Sequence, residues 1–64
     1  MKVKKTSTWS GKINEMELDI TENQWRNYMA GMLVQQAFPN LDATEREFLI
    51  TGMSEKEQKE VFGG

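Results

Sequence analysis

Residues 21–57, TENQWRNYMAGMLVQQAFPNLDATEREFLITGMSEKE, decide how this chain folds. Within them Thr21-Glu-Asn-Gln24, Asp42-Ala-Thr-Glu45 and Ser54-Glu-Lys-Glu57 each set a short oxygen acceptor three residues ahead of a Glu or Gln. The first side chain can accept from an unpaired N–H of a starting helix, and the later one can reach back to the cap's own N–H. Three helix starts follow, each cap contributing about 1 kcal/mol. The spacing predicts helices over 22–37, 43–51 and 55–62.

Each segment has a face to bury. Trp25, Tyr28, Met29, Met32 and Leu33 fall at the i, i+3, i+4, i+7, i+8 spacing of one apolar stripe, and Ala30, Val34 and Ala37 form a smaller second stripe. Ile20 and Trp25 are placed for a hydrophobic staple. Pro39 excludes helical geometry at Phe38 and closes the first helix. The second helix buries Phe48, Leu49 and Ile50, with Gly52 as its left-handed terminal residue. The third is charged up to Val61 and Phe62, and Glu55–Lys59 has the favourable i, i+4 order.

Ahead of the helices, residues 2–20 alternate in the manner of a β-hairpin turning at Ser10-Gly11-Lys12. Pairing Val3 with Ile20 gathers Val3, Trp9, Met16, Leu18 and Ile20 on one face. Lys2, Lys4, Thr6 and Thr8 then oppose Glu15, Glu17 and Asp19, so the charges are complementary across the pair. The expected fold is α+β: one domain, 1–64, with an N-terminal two-stranded antiparallel hairpin and three short helices.

Composition narrows the function. Sixty-four residues bury a small core, and the chain has no Cys and no His. Disulfides are excluded and a zinc site is disfavoured, so association with a second copy is the remaining support. A two-stranded hairpin leaves open edges that a two-fold partner could pair, which predicts a homodimer. The usual general base and the most reactive nucleophile are missing, no glycine-rich phosphate loop or calcium loop occurs, and no enzyme, metal or cofactor is expected. Eight basic against ten acidic residues, net −2, disfavour nucleic acid and anionic membranes. No apolar run is long enough to span a bilayer, and the N-terminus lacks the apolar core of a secretory signal, so a soluble, cytoplasmic protein is expected.

Candidate contacts remain. Trp9, Tyr28 and Arg46 are the residue types that dominate binding hot spots, although Trp9 and Tyr28 also suit a core. Gly31 within the first predicted helix costs about 1 kcal/mol relative to Ala, which close approach of another backbone would explain. Ala30, Gly31 and Val34 are therefore the candidate subunit interface.

Trp25, Tyr28, Gly31-Met-Leu-Val-Gln35, Ala37-Phe-Pro39, Leu41, Glu45-Arg-Glu-Phe-Leu49 and Thr51-Gly52 together resemble a family of uncharacterised small proteins of tailed bacteriophages. The likeness covers residues 20–62 and departs at Gln58, where the related sequences carry Trp. It implies a viral accessory protein in the cytoplasm of an infected bacterium, without catalytic activity, that binds and inhibits a host or antiviral-defence protein. Alternatives are a homo-oligomer that sequesters a nucleotide or small ligand, and an accessory of virion assembly.

Overall fold

The computed structural model describes residues 1–63. In chain order they form β1 (Lys2–Thr6), β2 (Ile13–Glu17), α1 (Glu22–Met29), α2 (Val34–Ala37), α3 (Ala43–Thr51) and α4 (Glu55–Phe62). The architecture is α+β, an N-terminal antiparallel two-stranded sheet followed by helices. α3 is the central element, packing against β1, α2 and α4, while α1 rests on α2. None of the helices among the described residues is long and apolar enough to cross a membrane.

All three capping boxes form, with both reciprocal hydrogen bonds present at Thr21–Gln24, Asp42–Glu45 and Ser54–Glu57. Helices α3 and α4 have the bounds that the sequence predicts, and Lys59 pairs with Glu55 at 3.4 Å. Gly52 ends α3 in the left-handed conformation at φ 77°. Phe38, ahead of Pro39, leaves the helical region at φ −129°, ψ 68°.

The expected helix over 22–37 is two helices. Gly31 N donates to the Tyr28 carbonyl and Met32 N to the Asn27 carbonyl, both at 3.0 Å. Those are the paired bonds of a Schellman motif, with Gly31 in the glycine position at φ 111°. A Cβ on Gly31 would meet nothing within 4 Å. Gly31 is therefore a helix terminator with no close neighbour among the described residues of its own chain, and Ala30, Gly31 and Val34 share no helical face. The break also removes Met29, Met32 and Leu33 from the predicted buried stripe: they are 60%, 41% and 59% exposed.

The hairpin keeps its faces but changes its register. Val3 opposes Met16, and Lys2, Lys4 and Thr6 oppose Glu17, Glu15 and Ile13. The shift from the expected Val3–Ile20 pairing is by an even number of residues, so each side chain stays on the expected side. Lys2 and Lys4 both approach Glu15, at 3.6 and 3.7 Å. Residues 7–12 form a loop and not strand ends, which takes Trp9 off the sheet and leaves it 53% exposed.

The core gathers Val3, Leu18, Ile20, Ala37, Phe38, Leu41, Phe48 and Leu49, with Trp25 and Tyr28 packed against it. Ile50, expected inside, is 54% exposed. The polar helix α4 docks through Gln58, which is buried and donates to the Thr44 and Met53 carbonyls, both at 3.0 Å.

Candidate functional site

Ser7 builds the loop that presents Trp9. Its hydroxyl is buried and accepts from Trp9 N and Ser10 N, both at 3.2 Å. Its backbone closes the loop: Ser7 N donates to Lys12 O at 2.7 Å and Gly11 N to Ser7 O at 3.0 Å. Thr8 N donates to the Thr51 carbonyl at 2.9 Å, fastening the loop to the end of α3. Trp9, Ser10 and Lys12 consequently face the start of α4 across a cleft of about 390 Å³, whose other wall includes Lys56, Glu57 and Glu60.

Glu57 is the hub of this region. The residue is 8% exposed although α4 reads as a solvated charged helix. Oε1 accepts from the Asn14 amide and from Ser54 N, the latter at 3.0 Å, and the Asn14 amide also donates to Gly52 O at 2.9 Å. One carboxylate thus joins β2, the α3–α4 link and the first turn of α4. Oε2 has no hydrogen bond of normal geometry and is the one such buried side-chain oxygen among the described residues.

The approach of the Ser10 side chain, followed by the Ser54 N–H, outweighs burial and lowers the Glu57 carboxyl from 4.5 to about 2, with Asn14 and the Ser54 side chain contributing further. A folded-state value below the unfolded one stabilises the fold fully above about pH 4.5, and the gain disappears as pH falls through about 2. Glu57→Gln keeps a capping box without a titrating group. Urea unfolding at several pH values should show the stability difference between wild type and Glu57→Gln shrinking from pH 4.5 toward 2. A difference flat across that window would remove the carboxylate from this role.

The other candidate residues are dispersed. Tyr28 is half-buried, its ring 5.4 Å from Phe38 and 5.9 Å from Trp25, so it belongs to the core margin. Arg46 lines a separate groove of about 410 Å³ with Val34, Glu47 and Ile50. Val34 and Arg46, one expected at an interface and one in binding, thus share one groove, while Ala30 and Gly31 lie exposed in the turn after α1. The described residues bring together no group of three or more potential metal ligands.

Ser7, Asn14 and Glu57 were not singled out by sequence. Asn14 carried a signal: it shares strand parity with Met16, so a polar amide points inward and needs buried partners. Glu57 carried none beyond its capping position, because its burial comes from the hairpin. The chain matches no family model, no curated protein and no solved structure.

Proposed function

We propose that this protein is a non-enzymatic accessory protein of phage type that works in the bacterial cytoplasm by binding and inhibiting a host or defence protein. The carrying observation is the α1–α2 link. The Schellman turn at Gly31 holds Met29, Met32 and Leu33 in the open within five consecutive residues, on a backbone fixed by hydrogen bonds. Met is an adaptable contact residue and is enriched at protein interfaces, and a pre-ordered link reduces the entropy lost on docking. The absence of His and Cys from the chain supports a binding role over catalysis.

Self-association is the second part of the reading. The two-stranded sheet has no third strand among the described residues, and an open edge favours pairing with a second copy. Sedimentation over a concentration range tests it, with a dimer expected at micromolar protein and a monomer throughout counting against it.

For the partner, bacterial lysate is passed over wild-type protein and over Met29→Ser/Met32→Ser/Leu33→Ser. These side chains are exposed, so the triple variant should keep the wild-type circular dichroism spectrum. A protein retained by wild type and lost by the variant supports the reading; equal retention, or none, overturns it. A small-ligand role has one specific observation behind it, the cleft at Trp9.

A further inference from the structure

We propose that the cleft between loop 7–12 and α4 binds a nucleoside monophosphate, its base against the Trp9 indole and its phosphate between Lys12 and Lys56. This site lies apart from the α1–α2 link and goes beyond the protein-binding reading. Its volume, about 390 Å³, is in the range of small-molecule pockets and too small for a folded partner.

Two features converge on that chemistry. Trp9 is more than half exposed, with a ring fixed to a loop that Ser7 and Thr51 hold in place. An exposed indole on an ordered backbone is a stacking platform for a flat heterocycle. Lys12 from the loop and Lys56 from α4 line opposite walls. Among the described residues the lysines in ion pairs are Lys2, Lys4 and Lys59, and of the other three, Lys5, Lys12 and Lys56, the last two line the cleft.

Simpler ligands use only part of this set. A free phosphate leaves Trp9 idle, and a neutral heterocycle leaves Lys12 and Lys56 idle. A nucleotide brings a flat ring and a dianionic phosphate.

The test is a titration of ¹⁵N-labelled protein with AMP, GMP and ribose 5-phosphate, following the two indole N–H signals. Expected are a shift at Trp9 with Trp25 unmoved, and a dissociation constant of about 1 mM or tighter for the nucleotides. Ribose 5-phosphate, Trp9→Ala and Lys12→Ala/Lys56→Ala should each bind about tenfold more weakly, as loss of one stacked base or of the phosphate contacts predicts. No shift at Trp9 overturns the proposal, and so does equal binding of ribose 5-phosphate. Nucleotide affinity unaltered in Trp9→Ala also overturns it.

Discussion

Gly52→Ala should cost about 3–5 kcal/mol, a large share of the total stability of a chain this size. Two penalties add at this position. Its φ of 77° lies in the left-handed region, where a Cβ costs about 1–2 kcal/mol. The new Cβ would also lie 2.6 Å from the Thr6 carbonyl carbon and closer still to its oxygen, and Ser7 N stands 3.0 Å away. Those are backbone atoms of the strand and loop that α3 supports, so no rotamer change relieves the overlap. Separation of β1 from the end of α3 would also break the Thr8–Thr51 hydrogen bond. Urea unfolding followed by circular dichroism measures the cost. Gly31→Ala is the control: φ is positive there too, but the space is empty, so about 1–2 kcal/mol is expected. Equal losses at the two sites would show that conformational strain alone acts at Gly52.

Phe38→Ala is expected to be comparably severe, at about 3–5 kcal/mol. Phe38 is fully buried and sits where the chain turns from α2 toward α3. Its ring lies 5.4 Å from Tyr28 and 6.4 Å from Trp25, so it carries the contact between α1 and the remaining core. Tilted aromatic pairs contribute about 0.5–1.5 kcal/mol beyond burial. Truncation therefore opens a cavity and releases α1, whose eight residues include none that is itself buried. A helix that short does not persist without tertiary contact. The expected result is a lower urea midpoint together with loss of the near-ultraviolet signal of Trp25 and Tyr28. Retention of that signal in the folded baseline would show α1 anchored by other contacts.

Both predictions concern places where the chain's local reading and its packing coincide. Gly52 was legible as a helix terminator, but its contact with Thr6 was not, because residues 6 and 52 meet only through the hairpin's docking on α3. Phe38 was legible as the residue forced out of helix by Pro39, but its contacts with Trp25 and Tyr28 arise only when α1 folds onto the core. Gly31 shows the opposite outcome. An apolar stripe running through it suggested a continuous helix, whereas the Schellman bonds to Tyr28 and Asn27 end α1 there and expose the second half of the stripe. Periodicity reports which residues would share a face if a helix continued. It carries no information on whether the helix does continue.

The candidate site was half legible. Trp9 was chosen for its residue type, and it is exposed, but its companions Lys12, Lys56 and Glu57 were unreadable because the cleft joins a hairpin loop to a helix more than 40 residues later. Arg46 and Val34 proved to share a groove for the same kind of reason, α2 folding back on α3.

Capping boxes, strand alternation and the Pro39 stop act over four residues or fewer, so the order of elements and the bounds of α3 and α4 could be read from neighbours along the chain. Hairpin register, the burial of Glu57 and Gln58, and the exposure of Ile50 depend on contacts between distant segments. Their free energies exist only once β1, α3 and α4 have come together, and no short-range pattern encodes them.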